Sequence, residues 1–230
     1  MKERSNEFEI MDDYNVRPED LLHSLNFMKQ VNELFGGTRV ILDYFVAQKN
    51  LPSSFTVLDI GSGGGDIPFA LAEWARVRGR QARITCIDLQ PLCVAYAAKN
   101  FSSPDIVHLD HSAFDIERLG KFDFVISSMF FHHLKDKEIV SLLGLIQKTA
   151  RYGWIVNDLY RGKLNYAGAW FLGVLSGKPI VFNDAKLSVA RAFRVSDMEK
   201  YREKAGLPEA VIRRRPIFRI AMSGPGQDKL

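Results

Sequence analysis

The chain has 230 residues, of which 47% are hydrophobic and 25% are charged, and its formal net charge is +4. That length suits one domain with a small appendage, and the apolar content argues against a disordered chain. The mildly basic balance permits contact with nucleic acid or with an anionic membrane but requires neither.

Targeting, membrane and metal signals are weak in this sequence. The charged start, MKERSNEFEIMDD, is unlike a secretory signal, and no apolar run reaches the about 18 residues that suggest a membrane span. Cys86 and Cys93 match neither a metal-ligand spacing nor a disulfide framework. We therefore expect a cytoplasmic protein with no bound metal.

The first 50 residues predict an N-terminal helical cap. Residues 1–15 are polar, and we expect them to be frayed. Pro18 suits the first turn of a helix that Gly36-Gly37 ends, and a second helix is predicted over residues 38–49.

Strand-like and helix-like segments alternate in the main domain, which we assign to residues 51–230. Such alternation predicts right-handed βαβ units around a parallel sheet, with the apolar strands buried on both faces. Two last strands flank Pro216 and are joined too closely for a helical crossover, so we expect them to pair antiparallel. The earlier strands are predicted at residues 55–60, 82–88, 106–110, 122–127 and 152–158, with helices at 67–78, 91–100 and 135–150.

An apolar insert is predicted at about residues 160–195, after the fifth strand. Residues 164–175 (LNYAGAWFLGVL) are apolar all round, so a helix there must be buried or meet something apolar. Three interpretations remain open: a cap packed on the sheet, a lid over an apolar acceptor, or at most a peripheral membrane contact. Further along, Ser196 and Glu199 have the spacing of a capping box that opens a helix ending at Gly206.

The stretch VLDIGSGGGD (57–66) combines an apolar strand, a glycine-rich turn and the start of a helix. Such a turn offers free N–H groups and lets a ligand lie against the backbone. The Lys-Ser or Lys-Thr of a phosphate loop is missing, and Asp66 stands where a dinucleotide fingerprint has its last glycine. Because a carboxylate there repels a pyrophosphate, Asp59 and Asp66 favour a positively charged ligand.

Further acids end the next two predicted strands. Asp88 ends the second strand, where a carboxylate accepts hydrogen bonds from ribose hydroxyls. Asp110, followed by His111, ends the third strand and is placed to meet an adenine edge. An adenosine that carries a cation in place of phosphates is S-adenosylmethionine.

Together with ITCIDLQP (84–91), VHLDHSAFD (107–115) and FDFVISSMFFHHL (122–134), these stretches resemble class I S-adenosylmethionine-dependent methyltransferases. The C-terminal third resembles small-molecule bacterial members of the quinone and polyketide type. The resemblance implies a Rossmann-like, doubly wound α/β fold with seven strands, mostly parallel, and an antiparallel last strand. It implies S-adenosylmethionine as cofactor, with contacts from Asp59, Gly61, Ser62, Gly63, Gly65, Asp88, Leu89, Asp110, His111 and Ser127.

Two adjacent histidines are the candidate catalytic residues. His132 and His133 directly follow the fourth strand, at the sheet edge where ligands dock in such folds. An imidazole with a pKa near about 6.5 removes protons well at neutral pH, as a hydroxyl or a weakly acidic carbon requires. The alternative is that one histidine caps the next helix and the other packs.

No motif names the methyl acceptor. The fourth strand lacks the Pro-Pro-aromatic motif of base-modifying enzymes, and the basic run at residues 213–215 alternates between strand faces, so no nucleic acid is expected. The apolar surplus near the ligand edge predicts a small, apolar or aromatic acceptor, methylated at a hydroxyl oxygen first and at carbon next. An RNA or protein methyltransferase and a non-catalytic S-adenosylmethionine-binding regulator remain as alternatives.

Overall fold

A single seven-stranded sheet organises the molecule, for which the computed structural model describes residues 3–228. Its strands are β1 (Ser54–Ile60), β2 (Gln81–Asp88), β3 (Ile106–Asp110), β4 (Phe122–Ser128), β5 (Ala150–Leu159), β6 (Val211–Arg215) and β7 (Arg219–Pro225). The order across the sheet is β3-β2-β1-β4-β5-β7-β6. Strands β1 to β5 pair in parallel, while β7 pairs antiparallel with both β5 and β6. The predicted doubly wound fold with an antiparallel last strand is confirmed.

Helices cover both faces of the sheet, so the strands are buried on each side. Apolar residues of α2 and α3 pack on one face, and those of α5 and α8 pack on the other. The helices are α1 (Pro18–Leu34), α2 (Gly37–Val46), α3 (Asp66–Val77), α4 (Pro91–Asn100), α5 (Asp136–Thr149), α6 (Lys163–Ser176), α7 (Pro179–Arg191) and α8 (Val195–Lys204). Within residues 3–228, no helix combines the length and the apolar character that crossing a membrane requires.

One aromatic residue on each face illustrates how the core is built. Phe124 of β4 is fully buried and meets the ring of Phe45 from α2 edge-on, with centroids 5.1 Å apart. Trp154 of β5 is equally buried on the opposite face, and its indole N–H donates to Oε1 of Gln147 at 2.8 Å. Because successive strand residues point to opposite faces, Phe124 packs in the apolar core on one side of the sheet and Trp154 packs in the core on the other side.

The insert after β5 differs from its prediction. It forms two helices, α6 and α7, and the second of these was not predicted as a separate helix. The helices pack closely at Gly173, where an added Cβ would lie 2.9 Å from Cα of Phe182. Helix α6 packs on α7 with one face and keeps large apolar side chains exposed on its outer face, so it is not wholly buried as a cap on the sheet. Those exposed side chains are Leu164, Tyr166, Trp170, Phe171, Val174 and Leu175.

The start of α8 also departs from the predicted capping box. The helix begins at Val195, and the backbone N–H of Arg194 donates to the Asp197 carboxylate at 2.7 Å. Asp197 therefore takes the capping position that we predicted for Glu199, two residues earlier in the chain.

The N-terminal segment, residues 3–16, is packed rather than frayed as predicted. Glu9 is only 3% exposed, and the Arg4 guanidinium lies 4.5 Å above the ring centre of Phe193. Arg4 also donates to the main-chain oxygens of His132 and Leu134 at 3.1 and 3.0 Å. The charges that suggested a solvated tail have partners on elements far away in the sequence.

Candidate active site

Two adjoining cavities open at the carboxyl ends of the parallel strands. The strand-end cavity, of about 250 Å³, is lined by the loops that follow β1, β2, β3 and β4. The apolar cavity, of about 110 Å³, lies among α1, α6, α7 and the turn between β6 and β7. Both are lined by Met11, Met28, Met129 and His133, which we call the junction residues.

The glycine loop opens onto the strand-end cavity at one point in particular. Gly61 has a φ of 68°, but its bare face is filled by protein, since an added Cβ would lie 2.3 Å from the Phe130 ring. Gly63 also has a positive φ, 52°, and the nearest atom to an added Cβ is Cε of Met28 at 3.8 Å. A ligand can therefore approach the backbone closely at Gly63, while Gly61 serves the packing of Phe130.

Three carboxyl groups surround that loop. Burial, together with the nearby charges of Asp66 and Asp88, raises the pKa of Asp59 to about 8. Burial also raises the pKa values of Asp66 and Asp88. The Asp88 carboxylate accepts hydrogen bonds from the backbone N–H groups of Gly63 and Gln90, both at 2.9 Å. Such a group of acids repels phosphates and is stabilised by a cation, which is the property that a sulfonium nucleoside requires of its site.

The predicted cofactor residues fall into two groups. Three lie outside the lining of the strand-end cavity: Gly65 packs near Ala97, Asp110 is exposed, and buried Ser127 donates to the main-chain oxygen of Ile60 at 2.9 Å. The neighbouring Ser128 lines the cavity instead of Ser127. The predicted residues that line it are Asp59, Gly61, Ser62, Gly63, Asp88, Leu89 and His111.

His132 is held between two carboxylates and lines the apolar cavity. Its Nδ1 lies 2.8 Å from Oδ1 of Asp158, and its backbone N–H donates to Oδ2 at 3.1 Å. Its Nε2 faces Oε1 of Glu9 at 3.4 Å. Burial alone lowers the pKa of His132, but the Asp158 and Glu9 carboxylates outweigh it and raise that pKa to about 9. The pKa values of both carboxyl groups are lowered in turn, so Glu9 and Asp158 are ionised and His132 is protonated at neutral pH.

His133 has a carboxylate partner of its own and reaches both cavities. Its Nδ1 lies 2.8 Å from Oδ1 of Asp12, and Arg191 contacts the other Asp12 oxygen at 3.4 Å. Although burial raises the pKa of Asp12, its hydrogen bond and charge interaction with His133 bring it below its ordinary value. Each histidine therefore has Nδ1 fixed by an aspartate, and Nε2 of His132 is in addition paired with Glu9.

Helix α7 holds the N-terminal segment over the histidines. The carboxylate of Asp184 accepts hydrogen bonds from the backbone N–H groups of Ile10 and Met11 at 2.9 and 3.0 Å. One turn later, the Ser188 hydroxyl donates to Oε2 of Glu9 at 2.9 Å. These contacts fix the position of the Glu9 carboxylate relative to His132.

The same face of α7 also contacts the turn that contains His132 and His133, which we call the histidine turn. Arg191, 5% exposed in its side chain, donates to the main-chain oxygens of His132 and His133 at 2.9 and 2.6 Å. It also donates to the main-chain oxygen of Glu7 at 2.8 Å. Because Asp184, Ser188 and Arg191 are spaced at helical intervals, we call this face of α7 the polar ladder.

Sequence reasoning missed several polar residues of the site. Glu9 and Asp12 lie in the segment that we expected to be frayed. Arg219 is buried beside the apolar cavity and donates to Asn32, which donates in turn to Asp66 at 3.1 Å. The spacing of the polar ladder between Pro179 and residue 191 was a usable signal for a helix with one buried polar face.

Residues 57–153 match the sequence family described as "Methyltransferase domain". At these residues the chain carries a methyltransferase domain. That match spans the acid-lined glycine loop, all of β2 to β4 and the histidine turn. S-adenosylmethionine is the cofactor of this methyltransferase, and the three acids with the open face of Gly63 fit its positive charge. No curated protein matches the chain.

Several solved structures share the fold of this methyltransferase. The plantazolicin methyltransferase BamL, in complex with a triazolic desmethylPZN analogue and SAH, has 13% sequence identity and a TM-score of 0.71, covering 95% of this chain and 94% of that chain. The mitomycin 7-O-methyltransferase MmcR has 18% identity and a TM-score of 0.66, covering 96% of this chain and 62% of that chain. Magnesium protoporphyrin IX methyltransferase from Synechocystis PCC 6803, with bound S-adenosylmethionine, has 15% identity and a TM-score of 0.61, covering 96% and 99%.

Proposed function

We propose that this methyltransferase transfers the methyl group of S-adenosylmethionine to a hydroxyl oxygen of a small, largely apolar molecule. The observation that carries the proposal is the apolar cavity that adjoins the strand-end cavity through shared residues. The cofactor, when bound, supplies a methyl group activated by a sulfonium. The protein must then orient an acceptor and remove its proton.

The apolar cavity has the character of an acceptor site. Its walls include Phe27, Val31, Leu172, Val181 and Val189, which belong to α1, α6 and α7. Such walls favour an aromatic or polyketide-like skeleton through burial of apolar surface. We propose that residues 1–50 act as the cap and residues 160–195 as the lid that form these walls together.

The junction residues give the methyl group a path between the cavities. Met11, Met28 and Met129 are flexible and apolar, so they can adapt to the acceptor while excluding water. Met129 holds a φ of 60°, which is uncommon for a residue with a side chain. Two further residues with positive φ, Ile217 and Phe218, also line the apolar cavity, and backbone strain of this kind clusters at functional sites.

The proton step is assigned to the histidine pair. A hydroxyl that enters the junction meets His133, whose Nε2 accepts a proton once Asp12 has fixed Nδ1–H in place. The acceptor oxygen then attacks the methyl carbon, the carbon–sulfur bond breaks, and S-adenosylhomocysteine leaves. His132 is held in its charged form by Asp158 and Glu9, so it stabilises the position of this turn rather than accepting the proton of the hydroxyl.

The proposal is tested by following a labelled methyl group. The protein is incubated with methyl-labelled cofactor and, separately, with lipid-extractable metabolites, aqueous metabolites, RNA and protein. We expect label in the lipid-extractable fraction, and we expect hydriodic acid to release it as methyl iodide, as it does from an oxygen but not from a carbon. Label in RNA or protein, or label that resists the acid, contradicts the proposal.

A further inference from the structure

Three side chains beside the junction form a compact group with metal-ligand chemistry. Glu9, His132 and His133 each offer one ligand atom, and these atoms lie within 4.8 Å of one another. Ligand distances of about 2.0–2.2 Å require such atoms to approach to about 3.5 Å. Oε1 of Glu9 and Nε2 of His132 already lie 3.4 Å apart.

The aspartates behind the histidines have the arrangement that orients metal-binding imidazoles. In metal sites a bound histidine usually gives its second ring N–H to a carboxylate, which fixes the tautomer and raises the basicity of the ligating nitrogen. Here Asp158 accepts from Nδ1 of His132 and Asp12 accepts from Nδ1 of His133, each at 2.8 Å. Both imidazoles are therefore set to ligate through Nε2.

Two of the ligand atoms are buried and have only each other as a polar neighbour. Oε1 of Glu9 and Nε2 of His132 lie 3.4 Å apart without a well-formed hydrogen bond, and their residues are 3% and 1% exposed. Buried polar atoms without partners are uncommon in folded proteins and call for a specific explanation. A cation between these two atoms satisfies both.

The local charge fits a divalent ion. With neutral histidines, the group contains three carboxylates, from Glu9, Asp12 and Asp158. Among residues 3–228, Arg191 is the one Arg or Lys within 4 Å of any of these three. A doubly charged metal ion beside these carboxylates offsets the negative charge that Arg191 leaves unpaired.

We propose that Glu9, His132 and His133 bind a divalent first-row transition metal, with Zn²⁺ as the reference ion and one coordination position open to the apolar cavity. Two histidines and one carboxylate are a ligand set known for catalytic zinc and for non-haem iron. The sequence predicted no metal because Glu9 is more than 120 residues from the histidines, so the set has no local spacing.

The role of the metal rests on the proposed methyl transfer and gives its proton step a second route, in which His133 acts as a metal ligand and not as the base. An acceptor hydroxyl in the open position becomes more acidic, and its proton leaves to water. Its oxygen then forms the bond to the methyl carbon as the carbon–sulfur bond breaks. In this arrangement Nε2 of His133 ligates the metal, and the metal replaces that nitrogen in activating the hydroxyl.

Metal binding is tested on the full chain without acceptor or cofactor. Protein stripped with a chelator is titrated with Zn²⁺ by calorimetry at mildly alkaline pH, and with Co²⁺ by visible absorption. We expect one ion per chain, a tetrahedral Co²⁺ spectrum, no comparable binding of Mg²⁺, and at least about ten-fold weaker Zn²⁺ binding by Glu9→Gln. Glu7→Gln, an exposed acid of the same segment, is the matched control and should bind like the wild type.

The outcomes separate this proposal from the proposed function. Absence of Zn²⁺ and Co²⁺ binding by the wild type means that the group is an ion pair only and overturns the metal site, even where methyl transfer is observed. Equal affinity of the wild type and Glu9→Gln overturns it as well. Zinc binding that depends on Glu9, in a protein that labels no small molecule, upholds the site and refutes the proposed function. Should Glu9→Gln lose its folded circular dichroism spectrum, the wild-type Co²⁺ spectrum still decides.

Discussion

At the scale of single residues, Asp59 shows how the site is prepared for a positive charge. It is 2% exposed and shares the strand-end cavity with Asp66 and Asp88. Because burial and its two neighbours raise its pKa to about 8, the carboxyl group is largely protonated at neutral pH without the cofactor. A bound sulfonium and ammonium reverse that balance, since they stabilise the ionised form.

Cofactor binding should therefore release a proton from Asp59. S-adenosylmethionine affinity is expected to rise as the pH approaches about 8 and to gain nothing further from this group above its pKa, where the carboxylate is already ionised. The measurement is calorimetry at neutral pH in two buffers that differ in ionisation enthalpy. Asp59→Asn is measured in the same way for comparison. Any proton exchanged by the amino group of the cofactor contributes equally to the wild type and the variant, so it cancels in the difference. Equal proton release by the wild type and Asp59→Asn contradicts this assignment.

Asp88 should bind the ribose while also holding the glycine loop. Asp88→Asn is expected to weaken cofactor binding by about 10- to 100-fold, since a hydrogen bond to a charged group contributes about 1.5–3 kcal/mol. Calorimetric titration with S-adenosylhomocysteine measures the change, and Asp43→Asn, an exposed acid on α2, is the matched control. Affinity that stays at the wild-type value would remove Asp88 from the cofactor site.

At the scale of elements, α7 connects the N-terminal segment to the histidine turn through its polar ladder. Asp184 receives two backbone N–H groups, and Arg191 donates to the backbone of both histidines. The segment carries Glu9 and Asp12, so α7 positions side chains that lie more than 170 residues earlier. Order in the segment should therefore depend on α7.

Asp184→Ala should release the segment without unfolding the domain. We expect the free energy of unfolding to fall by about 1–3 kcal/mol, because two part-buried backbone N–H groups lose a carboxylate acceptor. Hydrogen exchange at Ile10 and Met11 should become faster, and methyl transfer should fall while cofactor affinity changes little. Asp43→Ala is the control, and unchanged exchange at both amides in Asp184→Ala would refute the ladder's role.

The elements also mark the limit of what the sequence could predict. The strand-end acids could be predicted from the sequence because a strand, its terminal acid and the following glycines are neighbours in the chain, so the motif is local. The roles of Glu9 and Arg219 could not be predicted in this way, because their burial depends on partners that only the fold brings near. The helix α7 was missed because its buried face is polar at Asp184, Ser188 and Arg191, which hides the usual apolar pattern.

At the scale of the whole molecule, the outer face of α6 departs from an ordinary polar surface. Trp170 and Phe171 are 48% and 56% exposed, while the opposite side of the helix lines the apolar cavity. Helix α6 contains no acidic residue, and exposed Lys163 and Lys178 stand at its two ends. An apolar face with flanking lysines fits the interface of an anionic lipid bilayer, from which a lipophilic acceptor can be collected.

Vesicle binding should consequently depend on α6. The protein is expected to sediment with vesicles that contain anionic lipid, and to do so several-fold less after the double change Trp170→Ser with Phe171→Ser. The control is Val77→Ser with Val107→Ser, which removes exposed apolar side chains elsewhere on the surface. Equal sedimentation of the two double variants, or none by the wild type, contradicts a membrane-facing role.

The claim that the strand-end cavity binds the cofactor and the apolar cavity binds the methyl acceptor is tested most directly by filling the apolar cavity. Ala169 lines the apolar cavity and does not line the strand-end cavity, so Ala169→Phe should block the acceptor alone. The measurement is transfer of labelled methyl into lipid-extractable metabolites, with cofactor affinity measured by calorimetry on the same samples. We predict wild-type cofactor affinity and at least about ten-fold less label in Ala169→Phe, the loss that about 1.4 kcal/mol produces. Undiminished labelling by a variant that binds the cofactor normally would contradict the assignment of the apolar cavity to the methyl acceptor.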